Sequence, residues 1–353
     1  KNLLALWEAA GPHALDPDNL ETKGLTSLNG VLKSNEAFSA HPKIDLNSKL
    51  SSELVVTFGV QAGPKSTIRL MEFSNSGDNS GEILFDRKDT FNGFSFLHDF
   101  AITTNWAIFL QNAIDFNPVP FVIGQKGAAQ CLKSNPNKQS KFIIIPRESG
   151  LYKGQKPLII DAPKGFVFHH VNAYENNSKI ILESIFYDDF PSVGPDENFR
   201  DIDFSNYPEG KLKKSIIDLK TRTSEVTTLS QQCCEFAMVN PNRLGLKSTF
   251  SWMACTERST GNAPLQAIKK FNSTNNEEIF WYAGERSFVS EPIMSPSNNP
   301  CSEDDGFIFI IVWNGERRGS DLVILDAHSM QEIALYELPI SIPHGLHGSW
   351  VNS

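Results

Sequence analysis

The sequence predicts an all-β fold and, within that class, a β-propeller. Short apolar strands alternate with polar turns along the whole chain, convincing helical periods are scarce, and no clear linker divides the sequence. Regular repetition of strand pairs favours a propeller of roughly 4–8 four-stranded blades over a two-sheet sandwich. With 353 residues, 40% of them hydrophobic, the chain can bury the core of one large domain, which we expect to span residues 1–353.

The strands are predicted mainly as β-hairpins, because alternating strands enclose turn residues that tolerate tight backbone geometry. In chain order, the six hairpin segments are HALDPDNLETKG, KIDLNSKLSSELVVTFG, IRLMEFSNSGDNSGEILFD, SIIDLKTRTSEVTTLS, IKKFNSTNNEEIFWYAG and LVILDAHSMQEIALYELP. Between the third and fourth, FLHDFAITTNWAIF at 96–109 predicts a buried strand, although it carries His98 and Asp99. Only the region around Gly124 to Leu132 favours a short helix.

Charge and composition limit the partners and the compartment. The formal charge of -9 and the sequence pI near 5.4, without a Lys/Arg cluster, argue against nucleic acid as a partner and favour a small or neutral ligand. Five cysteines without a C-x-x-C arrangement predict a reducing compartment rather than a disulfide framework or a zinc ribbon. The opening KNLLALWEAAGPH lacks a signal-peptide cleavage site, so the sequence predicts a protein that is not secreted.

Several histidines in β-prone surroundings are candidate metal ligands. They are set in SAHPKID, FLHDFAIT, FVFHHVNAYE and IPHGLHGSW. Side chains on a strand alternate between its faces, so His169 and His170 cannot both point to one centre, and one ligand per strand is expected. Propeller strands converge on the axis, where distant histidines could meet at a Zn, Cu, Fe or Ni ion. The long spacings argue against a structural zinc site.

Six motifs, HPKID, LHDFAITTNWAIF, FHHVNAYE, CEFAMVNPN, SEP and PHGLHGSW, follow one another along the chain. Together they resemble the carotenoid cleavage oxygenase family, most closely its apocarotenoid oxygenase-like branch, and the resemblance extends back to Glu8. It implies a seven-bladed propeller with a small helical cap and a non-haem Fe(II) ion held on the axis by histidines. The family's N-terminal region has no counterpart before Lys1, so an N-terminally truncated, incomplete propeller is expected.

The resemblance implies roles for individual residues. The implied iron ligands are His41, His98, His169 and His347. The carboxylates implied to accept the other imidazole N–H of three ligands, which fixes ring orientation and tautomer, are Glu8, Glu235 and Glu291. The aromatic residues implied to line a substrate tunnel are Trp7, Phe96, Phe168 and Phe236. His170 is left on the outer face of its strand, and His344 occupies a position that is often Tyr in relatives.

The activity that the resemblance implies is cleavage of one C=C bond of a carotenoid or apocarotenoid with O₂, which gives two carbonyl products. A lipophilic polyene and O₂ are the expected partners, and Fe(II) is the expected cofactor. Trp7 stands where the stilbene-cleaving branch typically has Lys, which favours a polyene over a phenolic stilbene. Three alternatives stay open: stilbene cleavage, isomerase-hydrolase chemistry on retinoid esters, and a truncated, inactive propeller that binds a ligand or a partner.

One apolar, proline-interrupted segment at 116–132, FNPVPFVIGQKGAAQCL, resembles part of the family's cap. Its composition favours peripheral association with a membrane surface, and a packed cap element is an equally good interpretation. Carotenoid chemistry and reduced cysteines together predict a plastid or the bacterial cytoplasm as the compartment.

Overall fold

The computed structural model describes residues 3–33, 36–48, 53–75, 81–191 and 203–350. These residues form antiparallel sheets that follow one another along the chain as blades, so the predicted all-β propeller is confirmed. The first sheet contains β1 (Leu3–Ala5), β2 (His13–Leu15) and β3 (Thr22–Leu25). The second sheet contains β4 (Lys43–Asp45), β5 (Leu54–Gln61), β6 (Lys65–Ser74) and β7 (Ile83–Asn92).

The third and fourth sheets each have four strands, and a small ribbon is inserted into the third. The third sheet contains β8 (Ala101–Ile102), β9 (Trp106–Gln111), β12 (Lys141–Pro146) and β13 (Leu158–Asp161). The ribbon between β9 and β12 pairs β10 (Ile114–Phe116) with β11 (Leu132–Ser134). The fourth sheet contains β14 (Phe166–Asn176), β15 (Lys179–Tyr187), β16 (Lys211–Asp218) and β17 (Thr223–Thr228).

The last two sheets complete the described part of the chain. The fifth contains β18 (Cys234–Val239), β19 (Phe250–Cys255), β20 (Ala267–Asn272) and β21 (Glu277–Tyr282). The sixth contains β22 (Ser287–Val289), β23 (Ile293–Pro296), β24 (Gly306–Asn314), β25 (Gly319–Asp326) and β26 (Glu332–Glu337), with β22 and β23 both paired to β24.

The expected seven blades with a helical cap are wrong for the part of the chain that the structure describes. It has six blade-like sheets, five with four or five strands and one with three. All 26 described strands belong to these sheets or to the β10–β11 ribbon, so no strands remain for a seventh sheet. The number seven came from the resemblance rather than from strands counted in this chain. In place of a cap, one five-residue α-helix, α1 (Pro118–Val122), is described.

The helices are short and lie in connections. Asn117 caps α1 by accepting a hydrogen bond from the backbone N–H of Val119, and Pro118 suits the first helical position. Gly124, with φ of +73°, follows the end of α1. The short helix predicted around Gly124 to Leu132 is present only as the 3₁₀ turn Ala129–Cys131, and α1 precedes that range. Three 3₁₀ turns are described: Ala129–Cys131, Phe204–Asn206 and Pro241–Arg243. None of the described helices is long and apolar enough to cross a bilayer.

All six predicted hairpins are present, although the turn residues at 49–52 and 76–80 lie outside the described residues. The pairs are β2–β3, β4–β5, β6–β7, β16–β17, β20–β21 and β25–β26. The predicted strand over 96–109 is partly wrong, because only β8 and β9 are regular within it and 96–100 are irregular. His98 and Asp99 therefore precede a strand, and side-chain partners replace the ladder hydrogen bonds there.

The hydrophobic core lies between successive blades. One cluster joins the second and third sheets, where the rings of Phe58 and Phe109 lie 5.1 Å apart. Similar clusters join the third and fourth, fourth and fifth, and fifth and sixth sheets. Because each blade buries its faces against its neighbours, the segments at the inner ends of the blades remain available for polar side chains.

Glu183, on β15, is a buried carboxyl whose ionisation affects stability. Burial raises its pKa to about 7, although the charge of Lys214 opposes the shift from the ordinary value of 4.5. Between these pH values the folded protein binds a proton that the unfolded chain does not, so the free energy of unfolding falls as pH rises. We expect Glu183→Gln to remove this fall and to stabilise the protein at pH 8 by up to roughly 3 kcal/mol.

Denaturant unfolding at pH 5 and at pH 8 measures this effect. The control is Glu225→Gln on β17, where the carboxyl is exposed and its replacement should leave the pH dependence unchanged. An identical pH dependence in the wild type and in Glu183→Gln would contradict the prediction.

Candidate metal centre

Four imidazoles converge on one point: one nitrogen from each of His41, His98, His169 and His347 lies within 4.8 Å of the others. The Nε2 atoms of His41 and His98 are 3.0 Å apart, and those of His169 and His347 are 3.2 Å apart. Four of the six ring pairs meet edge to face, among them His41 and His347, whose centroids are 4.3 Å apart. This arrangement directs ring nitrogens from all four side chains into a common space.

The histidines come from four separate parts of the chain. His169 lies on β14 within the register shift against β15 between Val167 and His170, and such bulges commonly redirect a side chain. His41 precedes β4, His98 precedes β8 and His347 follows β26, so these three lie outside regular strands. The expectation of one ligand per strand is therefore wrong for them, because connecting segments escape the strict alternation of a strand.

Each of the three glutamates singled out in the sequence contacts one of these imidazoles at Nδ1. Glu8 Oε1 lies 2.9 Å from His98 Nδ1, and Glu291 Oε1 lies 3.1 Å from His347 Nδ1. Glu235 makes the corresponding contact with His169. A carboxylate that accepts from Nδ1–H selects the neutral tautomer with a free lone pair on Nε2, the atom that points to the common space.

Burial and charge keep these groups in the protonation states that suit metal binding. Burial alone would raise the pKa values of Glu8 and Glu235, but hydrogen bonds and charge from His98 and His169 hold both below the ordinary range. Burial lowers the pKa of His41 to about 2, against the opposing charge of Asp99 and with a smaller contribution from the charge of Lys43. The carboxylates are therefore ionised, and His41 is neutral, at neutral pH.

Glu235 is the most heavily hydrogen-bonded of the three carboxylates. It lies at a bulge of β18, where the next residue, Phe236, adopts φ of +55°, a left-handed conformation that is rare for a bulky side chain. The Phe236 N–H donates to Glu235 Oε2 at 2.8 Å, and the Tyr187 hydroxyl donates to Oε1 at 2.9 Å. Sequence reasoning missed Tyr187, because it lies in another sheet and no local motif marks it.

The aromatic residues singled out in the sequence occupy different places. The ring of Phe168 lies 5.4 Å from His98, and that of Phe236 lies 5.5 Å from both His169 and His347. Phe96 lies farther out, against Phe166 and Phe190. Trp7 is 63% exposed. Two of the four thus border the histidines directly, and a third belongs to the aromatic layer behind Phe168.

The four histidines fit a transition-metal ion. Imidazole nitrogens bind such ions at about 2.1 Å, so two nitrogens that share one ion lie at most about 4.2 Å apart. The Nε2 separations of 3.0 and 3.2 Å satisfy this limit. The set as a whole extends to 4.8 Å, so its widest separation must shorten by about 0.6 Å for all four nitrogens to share one ion. Neutral imidazoles suit Zn, Cu, Fe and Ni, whereas Ca²⁺ and Mg²⁺ prefer oxygen ligands.

Known proteins resemble this chain over nearly its whole length. The apocarotenoid-15,15'-oxygenase of Synechocystis is 40% identical over 99% of this chain and 71% of the relative. The isoeugenol monooxygenase of Pseudomonas nitroreducens is 29% identical over 99% of this chain and 72% of the relative. The crystal structure of cobalt-substituted Synechocystis ACO superposes with a TM-score of 0.95 and 39% identity, covering 100% of this chain and 72% of that one.

A family match extends these pairwise similarities. The family described as retinal pigment epithelial membrane protein matches residues 1–352. The resemblance suggested by the six motifs is thereby confirmed over nearly the whole chain rather than at isolated positions. This chain belongs to the retinal pigment epithelial membrane protein family, which includes the carotenoid oxygenases.

Proposed function

We propose that this chain is a non-haem Fe(II) dioxygenase that cleaves one C=C bond of a carotenoid or apocarotenoid with O₂. The observation that carries the proposal is the convergence of four histidines, three of them held by glutamates. The name of the 40% identical Synechocystis relative supports the substrate class. Each carbon of the broken bond keeps one atom of O₂ as a carbonyl oxygen, and the electrons of that bond reduce O₂, so no external reductant is needed.

In this proposal the imidazoles of His41, His98, His169 and His347 hold Fe(II) through Nε2. The bound ion supplies the redox-active centre for O₂ chemistry. The glutamates keep Nδ1 protonated on three of the rings, which directs the Nε2 lone pairs inward and raises their basicity. The partly buried carboxylates of Glu8 and Glu235 would also neutralise part of the charge of a divalent ion in a site that is partly shielded from solvent.

The substrate is proposed to lie against the aromatic side chains that border the histidines. Phe168 and Phe236 present apolar rings close to His98, His169 and His347, where they would hold a rigid polyene and stabilise positive charge along it. The depth at which the polyene is held decides which double bond meets the metal centre. Phe96 would support these rings from the aromatic layer behind Phe168, and Trp7 would contact the substrate where its side chain is exposed to solvent.

Two further features complete the proposal. Residues 1–353 are proposed to act as one propeller domain, supported by the clusters that join successive sheets. The bacterial source of the Synechocystis relative and the cysteine usage support the bacterial cytoplasm or a plastid as the compartment.

The convergence of polar side chains favours a metal centre over a scaffold that only binds a partner. Burying polar groups is unfavourable unless each has a hydrogen-bond partner or a bound ion, and a scaffold has no need of them.

Product analysis tests the proposed function. The Fe(II)-reconstituted protein is incubated with a β-apocarotenal in air, and products are separated by chromatography with diode-array detection. We expect two shorter carbonyl products whose carbon skeletons together account for the substrate, with ¹⁸O from ¹⁸O₂ in both. Iron-loaded protein that leaves β-apocarotenals, carotenoids and stilbenes all unchanged would refute the oxygenase.

Peripheral membrane association is proposed for α1 and the residues that follow it. Val119, Phe121, Val122 and Ile123 are between 48% and 77% exposed, so an apolar surface faces solvent here. We expect Phe121→Ser to weaken partitioning onto phosphatidylcholine–phosphatidylglycerol liposomes several-fold, since half of a Phe side chain contributes about 1 kcal/mol on burial. Co-sedimentation measures it, with Leu151→Ser, another exposed apolar position, as control. Unchanged partitioning of Phe121→Ser would count against this segment.

A further inference from the structure

A second buried polar cluster lies directly behind the histidines. We call Lys43, Asp99 and His170 the outer tie. Asp99 Oδ1 forms an ion pair with Lys43 Nζ at 2.8 Å, and Asp99 Oδ2 accepts a hydrogen bond from the backbone N–H of His170 at 2.8 Å. The His170 ring is held in turn by Ser184, with Nδ1 and Oγ 2.7 Å apart.

The members of the outer tie are chain neighbours of the converging histidines. Lys43 follows His41 by two residues, Asp99 directly follows His98, and His170 directly follows His169. Lys43 opens β4 in the second sheet, Asp99 lies in the irregular segment before β8 of the third, and His170 lies on β14 of the fourth. One carboxylate therefore joins three segments, each of which carries an imidazole of the metal centre.

The segment around His98 depends on such a contact. Residues 96–100 belong to no strand, so no ladder of backbone hydrogen bonds fixes the position of His98. Asp99 replaces those ladder hydrogen bonds, because its carboxylate accepts a hydrogen bond from the backbone N–H of His170 on β14. This contact lies where the β14–β15 register shifts. The His98 segment is thereby attached to the strand that carries His169.

Burial makes this attachment stiff. The Asp99 side chain is 1% exposed and that of Lys43 is 16% exposed, so water does not readily replace either partner. A buried ion pair adds little to stability compared with well-packed apolar residues, but removal of one partner leaves an uncompensated charge. Such a pair is suited to specifying an arrangement, in this case the relative position of three sheets.

We propose that Asp99 is a positioning residue that sets the spacing of His41, His98 and His169 by joining Lys43 to the backbone of His170. The proposal rests on the proposed function to the extent that the four histidines bind a metal ion. It concerns the geometry of the histidine site rather than the reaction, so metal binding tests it independently of any substrate.

The test compares Asp99→Asn with Asp304→Asn. Asp304 is a matched control: it is equally buried, it pairs with the buried Lys270, and it touches none of the four histidines. Co²⁺ affinity is measured by titration, ligand geometry by the visible d–d spectrum of the cobalt-loaded protein, and folding by thermal unfolding. We expect Asp99→Asn to bind Co²⁺ about tenfold or more weakly with an altered spectrum. Asp304→Asn should keep the wild-type Co²⁺ affinity and spectrum, even if its thermal stability falls as much as that of Asp99→Asn.

Wild-type affinity and spectrum in folded Asp99→Asn would overturn the proposal. If Asp99→Asn does not fold, Lys43→Gln replaces it, since this change removes the ion pair and leaves the contact with His170 in place. An altered cobalt spectrum in Lys43→Gln supports the proposal, and an unchanged one overturns it. Wild-type protein that binds Co²⁺ but whose iron form yields no carbonyl products refutes the proposed oxygenase alone, so the two failures are distinguishable.

Discussion

Replacement of His98 by alanine is expected to abolish stoichiometric iron binding and, with it, all formation of carbonyl products. His98 contributes a nitrogen 3.0 Å from that of His41, and it is held by Glu8 at 2.9 Å. Structural zinc sites with four protein ligands bind their ion with roughly 10–16 kcal/mol. By analogy, one of four ligands is worth about 3 kcal/mol, roughly a hundredfold in affinity. The variant also leaves the partly buried carboxylate of Glu8 without its His98 partner, which weakens the site further.

Iron content after reconstitution and desalting measures the first effect, and chromatography of the products measures the second. His13→Ala is the control, because His13 is exposed on β2 and lies outside the converging set. It should retain full iron content. Full iron content in His98→Ala would show that the histidines do not bind the ion together, and the proposed ligand set would be abandoned.

The hairpins of this fold could be predicted because each is a local feature. Paired strands and their turn lie within about twenty residues of sequence, and turn residues such as those of NSTNNEE mark the reversal. The number of blades could not be predicted in the same way. It depends on which strands pair, and the inserted β10–β11 ribbon shows that two consecutive strands need not form a blade.

The site residues show the same difference between local features, which the sequence predicts, and long-range contacts, which it does not. Histidines and glutamates within short motifs could be singled out, because each motif is contiguous in sequence. The Tyr187 contact with Glu235 and the Lys43 contact with Asp99 span 48 and 56 positions. No local sequence motif predicts either contact. Trp7 could be singled out because its motif is local. Its side chain is 63% exposed, and this exposure could not be predicted because it depends on the packing of distant segments.

Replacement of Glu235 by glutamine is expected to weaken metal binding about 10- to 100-fold, the usual range for a carboxylate that holds a ligand histidine. Its carboxylate accepts from three donors, His169 Nδ1, the Phe236 N–H and the Tyr187 hydroxyl. A glutamine offers one acceptor oxygen and turns an NH₂ group towards donors, so at least one buried donor loses its partner. His169 then loses both its fixed orientation and its preferred tautomer.

The same reasoning predicts a smaller effect for Glu291→Gln. Glu291 accepts from two donors, His347 Nδ1 and the Gly348 N–H, and the His347 side chain is 25% exposed, so water can replace part of the lost contact. Co²⁺ titration of Glu235→Gln, Glu291→Gln and the exposed control Glu225→Gln should therefore give affinities in increasing order. Equal affinities for Glu235→Gln and Glu225→Gln would mean that the carboxylate does not act through His169. In that event the short His169 contact would be a packing feature of the β14–β18 junction rather than part of a metal centre.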